Sequence, residues 1–229
     1  MSTQSVVYIC AHPDDITSVA GTLALLRRKG LQVYDICLTP GQRGYRLPGE
    51  KPGPSLKPPN LELAARRIKE EQAACAILGV ELIMCDEMDG ELYAHADICA
   101  RVAERLAAIK PVAVITLWAL EKPDHNAAFS IAYKALHLAD RYWTTEFYMA
   151  RADFEGYNFQ PNLYVNITSV IEQKRAVAGC YPSQFEENVA TTILRHARAA
   201  GHQVGCEYAE GFATMIPLVG TRWQRPAEV

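Results

Sequence analysis

Short apolar runs alternate with amphipathic ones along this chain, and that alternation constrains the fold more than any other feature. Residues 6–10 (VVYIC), 32–39 (QVYDICLT), 81–85 and 112–118 read as strands, the last apolar almost throughout and therefore central. Between them, residues 16–29, 61–78, 92–109 and 127–138 carry helical periodicity. Gly30, Gly79 and Lys110-Pro111 supply stop signals. Further strands are expected at 146–150 and 163–167, and further helices at 170–180 and 188–200. Continuously apolar strands are covered on both faces, and strands that alternate with helices pair in parallel. The pattern predicts a Rossmann-like, three-layer α/β fold with a mostly parallel sheet. No repeat or linker divides the chain, so residues 1–229 are expected to form a single domain.

Charge and cysteine usage narrow the function. The formal net charge is -3, against the basic field that a nucleic-acid binder needs. The N-terminal MSTQ lacks basic residues, and the longest apolar run, 112–120, is too short to span a bilayer. The 7 cysteines include no CxxC pair and are expected to be free thiols in a reducing cytoplasm.

One segment breaks the rhythm. Residues 40–60 (PGQRGYRLPGEKPGPSLKPPN) are rich in proline and glycine, which excludes a helix or a central strand. Long irregular segments inside α/β domains are often lids or binding loops; a surface insertion is the plainer alternative. Arg43, Arg46, Lys51 and Lys57 oppose only Glu50 here, which points to an anionic small-molecule substrate.

The candidate chemistry sits at two strand ends. Ala11-His12-Pro13-Asp14-Asp15 follows the first strand, and Pro123-Asp124-His125-Asn126 follows the fourth. Open α/β sheets bind ligands beyond the carboxyl ends of strands, where strand order switches. Two imidazoles and a carboxylate suit a borderline divalent metal such as zinc, which lowers the pKa of a bound water to about 7. One of the paired aspartates can bind metal while the other acts as base. The same residues admit plainer readings: Asp14 or Asp15 could cap a helix, and His12-Pro13 could form a turn.

The motifs also carry a resemblance. AHPDDI (11–16), LTPGQRG (38–44), RIKEEQAACAILGV (67–80), MDGEL (88–92), KPDHNA (122–127), KRAVAGCYPSQ (174–184) and YAEGF (208–212) occur in the order seen in the PIG-L/LmbE-like N-deacetylase family. The sequence resembles that family over most of its length. The resemblance implies one zinc per chain held by His12, Asp15 and His125, with Asp14 as general base. It places Arg67 and the turn at residues 41–44, including Gln42 and Arg43, near the substrate. Multimers are frequent in the family, so a homo-oligomer stays open.

This sequence departs from the family pattern at three places. Ile16 stands where the family has Glu, Gln42 where it has a loop Glu, and Lys122 where it has the first His of HPDH. That histidine helps to stabilise the tetrahedral intermediate or to protonate the leaving group, so Lys122 is a candidate catalytic residue. The leading expectation is zinc-dependent removal of an acyl group from the N-acyl amide of a sugar-like molecule. The alternative is a zinc-dependent hydratase acting on an unsaturated polycarboxylate, which the basic loop, Gln42 and Lys122 would suit. A ligand binder without turnover fits less well, because it would have no use for Asp14 as a base beside a metal.

Overall fold

The structure, a computed structural model, describes residues 4–44, 58–152, 158–185 and 189–214. Its strands are β1 (Ser5–Cys10), β2 (Gln32–Cys37), β3 (Glu81–Met84), β4 (Ala113–Leu117), β5 (Glu146–Ala150), β6 (Leu163–Asn166) and β7 (Ala209–Thr214). Its helices are α1 (Ala20–Arg28), α2 (Leu61–Leu78), α3 (Ala96–Ile109), α4 (Pro123–Leu138), α5 (Ile171–Ala178) and α6 (Val189–Val204). Among the described residues the strands form one 7-stranded sheet in the order β3-β2-β1-β4-β5-β7-β6. Strands β1 to β5 pair in parallel, and β7 runs antiparallel to both β5 and β6. The fold is therefore the mostly parallel α/β sheet that the alternation predicts.

The apolar strands dictate the layers. Every residue of β1 and of β4 is buried, so helices must cover both sheet faces. Helices α3 and α4 pack on each other, while α1, α2, α5 and α6 form a second set of packed neighbours. Helix α2 begins and ends where its sequence says it should. The Asn60 side chain accepts from Leu63 N at 3.0 Å, and Gly79 closes the helix at φ 68.

Some boundaries differ from the sequence expectation, for local reasons. The helix expected over 16–29 splits into a 3₁₀ turn, Asp15–Ser18, and α1. Glu210 of β7 holds the break by accepting from Gly21 N at 2.9 Å and Thr22 N at 2.8 Å, a carboxylate at a helix N-terminus. Strand β7 itself (AEGFAT) was not expected; a glycine and an ionisable residue interrupt its apolar pattern. Helix α3 starts at Ala96 rather than 92. Helix α4 starts at Pro123 rather than 127, which puts Asp124 and His125 in its first turn. The expected lid lies largely outside the described residues, as do Arg46, Lys51 and Lys57.

Candidate metal centre

Strand order reverses between β1 and β4, which lie side by side. The turn after β1 and the first turn of α4, which follows β4, therefore meet. His12, Asp15 and His125 converge there, with one potential ligand atom from each lying within 4.8 Å of the others. His125 Nε2 is 3.2 Å from Asp15 Oδ1, and His12 Nδ1 is 3.7 Å from Asp15 Oδ2. The imidazole centroids are 5.4 Å apart. Backbone donors fix Asp15: Ala11 N and His12 N give to its Oδ2 at 3.0 and 2.8 Å.

Each imidazole is also held from behind. His125 Nδ1 meets Glu121 Oε2 at 2.6 Å, and Glu121 is anchored by Ala152 N at 3.0 Å. His12 Nε2 meets Asp124 Oδ2 at 3.1 Å and Asp89 Oδ1 at 3.2 Å. Asp124 accepts from Gly90 N at 2.6 Å, and Asp89 from Arg43 N at 2.9 Å. Carboxylates on the outer nitrogens of metal-binding histidines set tautomer and ring orientation. The sequence reading passed over Glu121, Asp89 and Asp124 in this role. Asp124 lies inside the KPDH motif and Asp89 inside MDGEL, so acidic residues flanking the ligand motif were the available signal.

The electrostatics fit a divalent cation. Burial alone would depress both imidazoles. Carboxylates outweigh it, Asp124 and Asp89 raising His12 to about 9 and Asp15 and Glu121 raising His125 to about 10. Burial opposes ionisation of Asp15 as well, but the two histidines hold its pKa far below the usual carboxylate range. In the protein without metal each imidazole thus holds a second proton near neutrality. A divalent ion would replace that positive charge, and two imidazoles with a carboxylate are a donor set that zinc accepts.

Asp14 stands beside this cluster in a strained conformation. Its φ is 101, in the left-handed region that a residue with a Cβ avoids at a cost of about 1–2 kcal/mol. Helix α2 holds it there. Arg67 donates to Pro13 O at 2.6 Å and to Asp14 Oδ1 at 2.7 Å, and Glu71 Oε2 accepts from Asp14 N at 2.9 Å. Burial lifts the Asp14 carboxyl to about 6, against the pull of Arg67.

The remaining candidates are placed differently. Arg67 is 3% exposed, and it also donates to Gly41 O at 3.0 Å. Gly41, at φ +68, leaves room for it: a Cβ there would lie 2.1 Å from Arg67 Nη1. Arg43 pairs with Glu91 at 2.6 Å and donates to Asp89 O at 2.9 Å. Gln42 is buried and donates to Glu87 O at 3.3 Å, while its Oε1 has no hydrogen-bond partner. Lys122 is exposed at the N-cap of α4. Ile16 is fully buried in the apolar core, so no carboxylate from that position reaches the cluster.

A three-layer α/β fold with a His-Asp-His cluster at its switch point and a fourth residue, the ionisable Asp14, beside it defines the class of this protein. The profile of the PIG-L family, GlcNAc-PI de-N-acetylase, matches residues 7–136, and the chain belongs to that family. It is 29% identical over 230 residues to a diacetylchitobiose deacetylase of Thermococcus kodakarensis, covering 91% of this chain and 82% of that protein. It is 26% identical over 238 residues to a 4-oxalmesaconate hydratase of Pseudomonas putida, covering 94% and 91%. The crystal structure of a conserved protein from Thermus thermophilus, TT1542, superposes with a TM-score of 0.77 at 26% identity, over 98% of this chain and 100% of that one.

Proposed function

We propose that this chain is a zinc-dependent hydrolase that removes an acetyl or acyl group from the N-acyl amide of a sugar-like small molecule. The observation that carries the proposal is the convergence of His12, Asp15 and His125 beside Asp14. In this reading those three residues hold the metal and Asp14 is the base. A divalent cation bound there supplies Lewis acidity and brings the pKa of water down to about 7.

The residues of the chain account for the rest. Asp14 takes the proton from the attacking water, and a carboxyl poised near neutrality suits that task. Arg67 keeps its carboxylate pointed at the site. The acyl carbon–nitrogen bond breaks, and the proton passes to the departing amine. Lys122, three residues before His125, is proposed to assist at the rim of the site. Gln42 and Arg43 are proposed to line the substrate approach. The thiols, all 7 of them free, suit a cytoplasmic setting, and no helix among the described residues is long and apolar enough to cross a membrane.

A second reading has its own support. The hydratase relative aligns over 94% of this chain, and water activation followed by attack on a double bond needs the same base. Zinc-loaded protein should be assayed for acetate release from N,N'-diacetylchitobiose and related N-acetyl sugars, and for loss of enoate absorbance from unsaturated polycarboxylates. Acetate release supports the amidohydrolase. Loss of enoate absorbance without acetate release from any N-acyl substrate replaces it with the hydratase.

A further inference from the structure

We infer that Glu71 positions the base Asp14 as a neutral, protonated acid, and that Asp35 is the acceptor of its proton. The inference rests on the reading of Asp14 as base and extends it to two residues behind the site. Neither is one of the three residues read as the zinc ligands, although Asp35 and Glu71 with Cys75 form a second group of potential metal ligands.

The geometry begins on one face of α2. Arg67 and Glu71 lie four residues apart, which places them on neighbouring turns of the same helix face. Arg67 holds the Asp14 carboxylate, and Glu71 holds the Asp14 backbone N–H at 2.9 Å. The helix therefore grips Asp14 at both ends, and Asp14 is the residue whose backbone is strained. Tyr181 donates to the same Glu71 oxygen at 2.8 Å.

The other oxygen of Glu71 poses a problem that only a proton solves. Glu71 Oε1 is buried and has no donor among its neighbours. The Asp35 carboxylate lies within 4.8 Å of the Glu71 carboxylate, and both residues are fully buried. Two ionised carboxylates sealed together carry an uncompensated repulsion, whereas one shared proton turns the contact into a hydrogen bond. The thiols decide which partner keeps it. Cys10 donates to Asp35 Oδ1 at 3.4 Å and Cys75 to Asp35 Oδ2 at 3.7 Å, so Asp35 is supplied with donors suited to an anion. Glu71 has donors on one oxygen only and carries the proton on the other.

The charges around the pair agree. Burial pushes Glu71 well above the usual carboxylate range, and Asp35 adds to the push. Burial also raises Asp35, to about 6, with Glu71, Cys10 and Cys75 pulling it back. The Cys37 thiol is pushed up to about 12 by burial, and Tyr181 is raised in the same way, so neither brings a charge. Arg67 is the cation on this helix face, and its bonds go to Asp14, Pro13 and Gly41.

A neutral acid is mimicked by an amide. In Glu71→Gln the carbonyl can accept from Asp14 N and Tyr181, and the NH₂ can donate to Asp35. This variant should keep kcat within about threefold, whereas Glu71→Leu should lose about 10²-fold in kcat at unchanged KM and metal content, the scale of a misplaced catalytic group. Infrared difference spectra of wild type against Glu71→Gln at pH 7 should show the carbonyl stretch of a protonated carboxylic acid in wild type alone. If Glu71→Leu does not fold, Tyr181→Phe removes one tether and should lower kcat with the infrared band retained. The inference is overturned if wild type lacks that band, if Glu71→Gln is as damaged as Glu71→Leu, or if Glu71→Gln loses a second equivalent of metal held at this cluster. Failure of the base reading itself would look different: Asp14→Asn would turn over normally while the infrared band stayed in place.

Discussion

Glu121 Oε2 lies 2.6 Å from His125 Nδ1, on the side of the ring opposite Asp15. That contact aims Nε2 at the candidate metal position. It predicts a graded response to substitution. His12→Ala and His125→Ala should lose bound zinc outright, as measured by elemental analysis of purified protein. Glu121→Ala should keep the site but weaken it about 10–100-fold, the usual cost of removing a carboxylate behind a histidine ligand. Full metal content in both histidine variants would discard this ligand set.

Asp14 should separate metal binding from turnover. Its carboxylate contacts Arg67 rather than the imidazoles. Asp14→Asn should therefore retain zinc and lose about 10²–10⁴-fold in kcat, the range for a general base. Metal content and steady-state kinetics on one preparation decide the point, and near-normal turnover would remove Asp14 from the mechanism.

Gly41 is the position where one methyl group should disturb the site from outside it. A Cβ there would lie 2.1 Å from Arg67 Nη1, and the backbone is at φ +68. The guanidinium cannot yield cheaply, because it is tied to Pro13, Asp14 and Gly41. Gly41→Ala should cost roughly 1–3 kcal/mol of stability from the strained backbone alone. It should also lower kcat while leaving zinc content intact. Thermal unfolding and kinetics together test this, and a variant with wild-type values in both would show that Arg67 moves freely.

The sequence carried the frame of this protein more fully than the interior of its site. Strand–helix alternation located β1 and β4 and hence the junction where His12 and His125 meet, because burial on both faces leaves a periodicity that is plain in the residues. Gly79 marked the end of α2 by cap chemistry, whereas the Asn60 cap came to light only in the fold. The partners behind His12 were not visible, since Asp89 and Asp124 come from segments that only the folded chain brings to it, and nothing in EKPDH (121–125) marks Glu121 rather than Asp124 as the acid behind His125. Glu71 was hidden for another reason. It lies on a helix in a run of charged residues, RIKEEQ (67–72), where a buried acid and a solvated one look alike. Strand β7 escaped because Glu210, which interrupts its apolar pattern, is buried against Lys174 at 2.6 Å.

The Asp35–Glu71 pair gives a pH dependence that can be isolated by difference. The folded state raises the Glu71 pKa above its unfolded value of about 4.3. A group raised in this way contributes stability that is fully present below the unfolded value and is lost as pH rises towards the folded one. Glutamine at this position does not titrate. The stability of wild type relative to Glu71→Gln should thus fall as pH goes from 4 towards 8, by up to about 1.4 kcal/mol per pH unit. Titrations away from this pair, those of the histidines included, occur in both proteins and cancel in the difference, so what remains belongs to Glu71 and its coupled partner Asp35. Parallel melting curves across this range would mean that Glu71 is ionised in the folded protein.

Lys122 is exposed at the N-cap of α4, three residues before His125. Its side chain makes no cap hydrogen bond to the helix. An exposed ammonium is well hydrated, and its interactions with other charges are screened. It is thus better suited to drawing an anionic group to the rim than to stabilising a buried oxyanion. Lys122→Ala should raise KM for anionic substrates about two- to fivefold, on the scale of an exposed ion pair. It should leave kcat nearly unchanged and have little effect on neutral N-acyl sugars. Added salt should shrink the difference between the variant and wild type. A fall in kcat of about 10²-fold at constant KM would instead place the Lys122 ammonium on the reacting carbonyl, where preorganised donors have effects of that size. It would then do directly what the family assigns to a histidine.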